Sequence, residues 1–262
     1  MLSSSITVLL SYGVLCGAVL ACLGMIWADF RRQQYRLGQY PIFLFNRLIT
    51  RLLWRAEISG PLPVQPGQGA VIVCNHIGPI DPAFIALGTG TSVHWMVARE
   101  FVDMPVLRWF FRAVEAIPVG RGGIDTAATK LAIRYVQQGG LLGLFPEGRI
   151  NETERFLLPG RPGAALIALK ARAPVIPCHI TDSPYDGTVF GFMVIPTRTR
   201  LKIGKPIDLS PYYDNAGDRD VQVELTKRFL REIAKLGGVD KFEPELAGRN
   251  WKTADNSLPA AG

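Results

Sequence analysis

The hydrophobic positions of this chain follow different patterns before and after residue 60. Before it, residues 6–28 form one apolar run without a charged side chain, in which Leu, Val, Ala and Gly dominate. A helix needs about 20 apolar residues to cross the hydrocarbon core of a bilayer. After it, short apolar runs alternate with segments whose apolar residues recur at helical spacing. This alternation predicts a mostly parallel sheet with helices on its faces.

The second pattern predicts the elements of one α/β domain. Strands are predicted at 70–74, 93–97, 116–119, 141–145 and 175–180, and residues 199–203 are a candidate for one more. Helices are predicted at 82–87, 105–114, 124–138, 162–172 and 219–236. A chain of 262 residues can hold one such domain and an anchor. The predicted fold class is therefore α/β, a largely parallel sheet flanked by helices, with an N-terminal membrane-anchoring helical segment.

The apolar run at 6–28 is interpreted as an uncleaved membrane anchor and not as a signal peptide. A signal peptide begins with basic residues and has a shorter apolar stretch, whereas no basic residue precedes Ile6. The first basic residues, Arg31, Arg32 and Arg36, follow the run. Positive flanks stay on the cytoplasmic side, which predicts membrane localisation with the main domain facing the cytoplasm. A buried or interfacial helix is the alternative.

The remaining domain boundaries follow from composition. Residues 41–54 place Arg47 and Arg51 on one helical face, which predicts either an amphipathic helix on the membrane or an ordinary surface helix packed on the domain. The Gly- and Pro-rich stretch 60–69 indicates a linker. The predicted divisions are an anchor region at 1–59, the α/β domain at 60–252 and a flexible tail at 253–262.

Charge and cysteine content narrow the classes of partner. The net charge of +7 suits an anionic membrane surface or anionic substrates. The sequence has no zinc-finger spacing, RNP-like segment or basic-aromatic array, so a nucleic-acid partner is not predicted. The four cysteines form no C-x-x-C pair, which predicts neither a metal site nor a disulfide framework.

Candidate chemistry begins where the strand predicted at 70–74 ends. His76 precedes Asp81 by five positions, and Gly78 and Pro79 between them favour a turn that brings the two side chains together. The carboxylate would accept a hydrogen bond from one imidazole nitrogen and leave the other free to take a proton. The nucleophile would then be the substrate's own hydroxyl. The alternative is structural: Asp81 before Pro82 fits a helix N-cap, and His76 fits a satisfied polar residue at a strand end.

Two other predicted strands end in basic residues. The segment 145–149, F-P-E-G-R, follows an apolar strand, at the position where open α/β sheets bind ligands. Its Arg149 is suited to bidentate pairing with phosphate. The segment 117–121 repeats this arrangement with Arg121. For both segments the alternative is a loop with a surface ion pair.

In this order, the segments resemble the four sequence blocks of the glycerolipid acyltransferases, the group that contains bacterial 1-acylglycerol-3-phosphate acyltransferase. Residues 75–81 resemble the N-H-x4-D block, and 117–121 the block whose arginine contacts the substrate phosphate. Residues 145–148 resemble the F-P-E-G block, and 173–177 the V-P-V-x-P block. The resemblance extends from about residue 71 to residue 203, including the spacing between blocks.

The resemblance implies an O-acyltransferase of phospholipid biosynthesis that needs no cofactor. It implies an acyl-CoA or acyl-acyl carrier protein as donor and a lysophospholipid acceptor in the membrane, with the 2-hydroxyl of lysophosphatidic acid as the expected group. It implies that His76 and Asp81 are catalytic. The substrate-binding residues it implies are Arg121, Phe145, Pro146, Glu147, Gly148 and Arg149.

Two departures from the family pattern concern the acceptor. Glu115 stands where the second block usually begins with glycine, and Arg149 and Ile150 follow Gly148 where the third block usually continues Thr-Arg. The shift by one position changes where the guanidinium points. Another lysophospholipid, glycerol 3-phosphate or an N-acyl amino acid lipid therefore stays open as acceptor, and a non-catalytic lipid-binding protein stays open as a second class.

Overall fold

The computed structural model describes residues 2–33, 35–60, 62–65, 67–120, 125–188 and 190–247. Two predictions, the substrate contact of Arg121 and the flexible tail at 253–262, fall outside these residues. The strands are β1 (Glu57–Ser59), β2 (Ala70–Cys74), β3 (Val93–Ala98), β4 (Ile117–Val119), β5 (Leu141–Leu144), β6 (Val175–Thr181) and β7 (Arg200–Ile203). The α-helices are α1 (Leu2–Arg32), α2 (Tyr40–Leu52), α3 (Asp81–Thr89), α4 (Arg99–Val102), α5 (Arg108–Ala113), α6 (Thr126–Gln137), α7 (Gly163–Ala171) and α8 (Arg219–Leu236).

The strands form one sheet in the order β1-β7-β6-β2-β5-β3-β4. All neighbours from β6 to β4 are parallel, which confirms the predicted fold class. β7 runs antiparallel to β6 and carries β1, parallel to β7, at the sheet edge. The connection between β6 and β7 folds as a surface turn with a short 3-10 helix, Gly191–Val194, and returns the chain in the opposite direction.

Most predicted elements are present within a few residues of their expected ends. The candidate strand at 199–203 is β7, and the helix expected at 105–114 begins later, at Arg108. β1 was not predicted, and its residues 57–59 lie in the stretch assigned to the anchor region. The division of the chain at residue 59 stays a prediction, although the sheet reaches back across it.

Each face of the sheet has its own hydrophobic core. On one face α6, α7 and α8 pack together, and α8 contributes Leu225, Phe229 and Ile233. On the other face the core lies beneath α2 and α3 and includes Trp54 and Phe84. Because both faces are covered, β2 is buried at every position and shows no alternation of polar and apolar residues.

α1 stands apart from both cores. The structure leaves its apolar window unburied, and at a mean hydropathy of 2.3 it is long and apolar enough to cross a membrane. Its C-terminal end is tied to α2, because Tyr40 Oη donates to Asp29 Oδ2 at 2.8 Å and Arg47 pairs with the same oxygen at 3.1 Å. α2 in turn packs on α3, where Asn46 Nδ2 donates to the Ala83 carbonyl at 2.8 Å. The apolar helix is thus connected to the sheet through α2.

Candidate active site

The site is built where β2 and β6 separate at their carboxyl ends. The last paired residues are Cys74 and Cys178. Beyond them Asn75 is buried and takes over the pairing with its side chain. Its Nδ2 donates to the Ile180 carbonyl at 2.9 Å, and its Oδ1 accepts from the Ile180 N–H at 2.8 Å. Since both ends of the amide are used, the chain leaves β2 along one fixed path, which sets the start of the His76 loop.

The structure brings His76 and Asp81 together. His76 Nδ1 lies 3.0 Å from Asp81 Oδ2, and the same oxygen accepts from the Ile77 N–H at 2.8 Å and the Gly78 N–H at 3.0 Å. The Asp81 side chain is 0% exposed and that of His76 is 16% exposed. The hydrogen-bond network assigns the proton to Nδ1, which leaves Nε2 as the nitrogen that can accept one.

Asp81 does not act as an N-cap, so this alternative for it is wrong. The N-cap position of α3 belongs to Ile80, which makes no side-chain capping bond. The Asp81 carboxylate instead turns back toward the preceding loop. Its short side chain lets one oxygen gather three donors from residues 76–78, which closes the turn that Gly78 and Pro79 begin.

An aromatic stack holds the imidazole from one side. The rings of His76 and Phe145 have centroids 3.8 Å apart and planes within 6° of parallel. Trp95 stacks on Phe145 at 4.7 Å and 19°. Gly143 makes room for this stack, because a Cβ there would lie 2.6 Å from atoms of the Trp95 indole. Phe145, expected in a substrate-binding block, thus covers one face of the candidate base.

Glu147 is buried and joins two loops through their backbones. Its Oε1 accepts from the His76 N–H at 2.8 Å, and its Oε2 accepts from the Leu158 N–H at 2.8 Å. The His76 carbonyl accepts from the Asn151 N–H at 2.7 Å, so both backbone polar groups of His76 are held. Burial raises the pKa of the Glu147 carboxyl to about 7, against the lowering effect of the two N–H donors. The place of Glu147 in the F-P-E-G segment did not predict that its carboxylate accepts hydrogen bonds from the backbone N–H groups of two loops.

Two arginines lie beside this loop, and sequence reasoning identified one of them. Gly148 has φ +71°, and a Cβ there would lie 3.1 Å from Arg161 Nε. The Arg161 N–H donates to the Pro146 carbonyl at 2.9 Å. Burial, and then the charge of Arg149, lower the pKa of Arg161. The sequence signal for Arg161 was weak, a basic residue directly before the helix predicted at 162–172.

The third candidate arginine, Arg121, lies outside the described residues. The segment leading to it is ordered by Asp125, whose Oδ2 accepts from the Gly120 N–H at 3.0 Å and lies 3.6 Å from Arg99 Nη2. Within the described ranges, no group of three or more His, Cys, Asp or Glu side chains is arranged to hold a metal ion.

Comparisons with known proteins agree with one another. The sequence model of the acyltransferase family matches residues 55–181. The 1-acyl-sn-glycerol-3-phosphate acyltransferase of Bacillus subtilis (strain 168) is 29% identical over 165 residues, 62% of this chain and 78% of that protein. Its namesake from Limnanthes douglasii is 27% identical over 181 residues, 66% of this chain and 62% of that protein. The crystal structure of the 1-acyl-sn-glycerophosphate (LPA) acyltransferase PlsC from Thermotoga maritima shares the fold, with a TM-score of 0.61, 19% identity and coverage of 85% of this chain and 90% of that chain.

The double backbone contact of Glu147 makes a prediction about Glu147→Gln. A glutamine has one acceptor oxygen, so its NH2 group must face the N–H of either His76 or Leu158. Leaving a buried donor unsatisfied costs about 1–3 kcal/mol, so we expect the backbone amide of at least one of these two residues to exchange with deuterium about tenfold faster or more. Glu154→Gln, at an exposed position of the same loop, is the control and should leave exchange unchanged. Unchanged exchange in both variants would contradict the bracing role.

Proposed function

Because this chain belongs to the glycerolipid acyltransferase family and is an O-acyltransferase, we propose that it acylates the 2-hydroxyl of lysophosphatidic acid to give phosphatidic acid. The acyl donor is a thioester, acyl-CoA or acyl-acyl carrier protein. The observation that carries the proposal is the oriented pair of His76 and Asp81 at the end of β2, beside a loop that holds two arginines.

In the proposed reaction His76 is the general base. Its Nε2 takes the proton of the acceptor hydroxyl as the oxygen attacks the thioester carbonyl, and Asp81 stabilises the imidazolium that forms. The tetrahedral intermediate then expels the thiolate, which receives the proton from His76. The buried Asp81, with its three donors, keeps the ring in one tautomer throughout.

The acceptor phosphate is assigned to the arginines. Arg149 and Arg161 carry like charges close enough for one to lower the pKa of the other, and an anion between them relieves this repulsion. Guanidinium–phosphate contacts are charge-assisted and bidentate. Arg121 is proposed to join them, on the resemblance of its block alone. Glu147 contributes by holding the loop from which Arg149 extends.

Other acceptors remain as outcomes of the test. The position of Arg149 directly after Gly148 favours a phosphate at a different distance from the base, as in another lysophospholipid or glycerol 3-phosphate. A non-catalytic lipid-binding protein is disfavoured by the pairing of His76 with Asp81, because binding alone does not need an oriented base.

The membrane anchor agrees with a substrate and a product that reside in the bilayer. We propose that α1 crosses the membrane and that the α/β domain lies on the cytoplasmic side. The support for this orientation is the basic segment after the apolar run, with Arg31 and Arg32 in the last turn of α1.

The first prediction from the proposed function concerns the base. His76→Ala should lower kcat by at least about a hundredfold, because a positioned general base contributes about 10²–10⁴-fold. Asp81→Asn should also be severe, since an amide cannot stabilise the imidazolium. Transfer of radiolabelled acyl chains in detergent is the measurement, with the melting temperature as the control for folding. A His76→Ala protein with turnover within tenfold of wild type would remove His76 from the mechanism.

The second prediction separates the acceptors. Arg149→Ala and Arg161→Ala should each raise the apparent KM for lysophosphatidic acid about tenfold or more, about 1.4 kcal/mol, with little change in KM for the donor. Arg155→Ala, on the same loop but exposed and paired with Glu245, is the matched control and should behave as wild type. If the enzyme uses a phosphate-free acceptor, the apparent KM for that acceptor should be unchanged in all three variants. If both arginine variants kept a wild-type KM for lysophosphatidic acid but lost activity on another lipid, lysophosphatidic acid would be rejected as the acceptor. The proposal that the protein is an acyltransferase would survive that result.

The third prediction concerns the anchor. Full-length protein in isolated membranes should resist extraction by alkaline carbonate, whereas a chain lacking residues 1–29 should be released at least in part. Protease added to sealed, cytoplasmic-side-out vesicles should digest the α/β domain, and protease added to vesicles of opposite orientation should spare it. Release of the full-length chain by carbonate would reject the spanning helix, and protection in the first vesicles would reverse the orientation.

A further inference from the structure

A turn in the second half of the chain exposes apolar side chains without an evident role in the core. Residues 190–196 read F-G-F-M-V-I-P, and Phe190, Met193 and Val194 are 48%, 52% and 78% exposed. Three exposed apolar side chains within five residues form a cluster, and clustered exposed apolar residues mark an interaction site more often than single ones do. These residues are not part of the loop that carries His76 or of the segment that carries Arg149 and Arg161.

The turn is ordered by hydrogen bonds at its base. Asp186 Oδ1 accepts from the N–H of Thr188 at 2.9 Å and from its hydroxyl at 2.7 Å. Thr188 Oγ1 accepts from the Gly191 N–H at 2.9 Å. A Cβ on Gly191 would lie 1.8 Å from Asp186 Oδ2, so glycine permits this close approach. A segment built in this way presents its apolar tip in a defined direction.

Phe192 attaches the turn to the domain, because its side chain points inward. Its ring packs against Trp54 with centroids 6.1 Å apart, and the Trp54 indole Nε1–H donates to the Phe192 carbonyl at 3.2 Å. Trp54 lies two residues beyond the end of α2 and belongs to the core on the α2 side of the sheet. The exposed tip is therefore held at the C-terminal end of α2.

α2 itself presents an apolar stripe to the outside. Phe45, Leu48 and Leu52 are spaced so that they share one helical face, and all three are exposed. The opposite face packs on α3, as the bond from Asn46 to the Ala83 carbonyl shows. α2 is bonded to the end of α1 through Tyr40 and Asp29, and at its other end the buried Trp54 holds the turn. The exposed apolar residues of α1, of α2 and of the turn therefore belong to segments that are joined to one another.

We propose that the turn Phe190–Val194 is a second membrane contact, which inserts its tip into the lipid surface on which α2 lies. The proposal rests on the proposed function, in that the α/β domain works beside the bilayer. The occupant is lipid because the helix that holds the turn, α2, is bonded to the end of the apolar helix α1, and because Arg51 and Arg55 beside the turn are exposed, as suits anionic headgroups.

This contact would orient the catalytic loop as well as hold the domain. The segment that leads into the turn touches that loop, since a Cβ on Gly78 would lie 2.9 Å from Ser183 Oγ and 3.3 Å from the Pro184 carbonyl. With α1 alone the domain could pivot about its anchor. A second contact, made by the β6–β7 connection at the C-terminal end of α2, would fix the tilt of the α/β domain relative to the membrane. It would thereby keep the His76 loop at the lipid surface.

The test uses the full chain in vesicles of phosphatidylglycerol and phosphatidylcholine. Cys16 and Cys22 are exposed and are changed to serine, and Met193→Cys is labelled with the environment-sensitive fluorophore NBD. Leu48→Cys on α2 and Glu224→Cys on α8, at the opposite face of the sheet, are the matched controls. Labels at 193 and 48 should be quenched at least threefold more by nitroxide-labelled lipid than by aqueous iodide, and the label at 224 should show the reverse.

Each other outcome has a definite meaning. Iodide quenching at 193 equal to that at 224 would overturn the proposal. A label at 193 shielded from both quenchers would indicate a protein partner, such as a second copy, and would also overturn it. Acyl transfer to lysophosphatidic acid is measured on the same vesicles. If no transfer occurs but the label at 193 is still quenched by lipid, lysophosphatidic acid is rejected as the acceptor and the membrane contact is supported.

A functional variant supplies an independent test. Met193→Asp combined with Val194→Asp changes exposed side chains, so folding should be preserved. We expect at least fivefold slower transfer to an acceptor embedded in vesicles and unchanged transfer to the same acceptor dispersed in detergent. Equal rates for variant and wild type in vesicles would count against the contact, whereas equal losses in both media would indicate damage to the site and also contradict it.

Discussion

The carboxylate of Glu147 is the interaction on which the site depends. β2 and β5 are parallel neighbours, paired as far as Val73 and Leu144, and β2 stays paired with β6 for one more residue. Both chains then enter loops whose buried backbone groups need other partners. A buried N–H without a partner costs about 1–3 kcal/mol. Glu147 satisfies two of them, on His76 and Leu158, with one side chain. Its burial works against the charge and raises its pKa to about 7, and the two N–H donors act in the opposite direction.

This bracing explains why the H-x4-D and F-P-E-G segments occur together. Glu147 fixes the backbone of His76, Phe145 covers one face of its ring, and Asp81 holds its Nδ1. Three restraints from two segments thus leave the imidazole a single orientation with Nε2 directed away from Asp81. Because the base is already ordered, the binding free energy of the substrates can lower the activation barrier and is not used to orient the imidazole.

The sequence predicted the sheet well and the site in part. The buried parallel strands were found because short, mostly apolar runs such as 70–74 and 175–180, separated by helical patterns, are typical of strands in a sheet covered on both faces. β1 was missed, because three residues with one inward side chain carry no pattern. The contact of His76 with Asp81 was predictable from a five-residue spacing with a turn between. The bonds from Glu147 to Leu158 and from Asn75 to Ile180 span 11 and 105 positions, and no local pattern encodes them.

The departure at Glu115 has a structural explanation that spacing could not supply. Its φ of +53° is in the left-handed region, which accounts for the glycine usual at this position of the family pattern. For a side-chain-bearing residue this conformation costs about 1–2 kcal/mol. The ion pair with the exposed Arg36 offsets less than about 1 kcal/mol of it. The Glu115 carbonyl also accepts from His94 Nδ1 at 2.9 Å, but glycine would make the same backbone bond, so this contact does not favour glutamate. The ion pair thus offsets part of the strain, and through it the Glu115 side chain links the approach to β4 to the segment between α1 and α2.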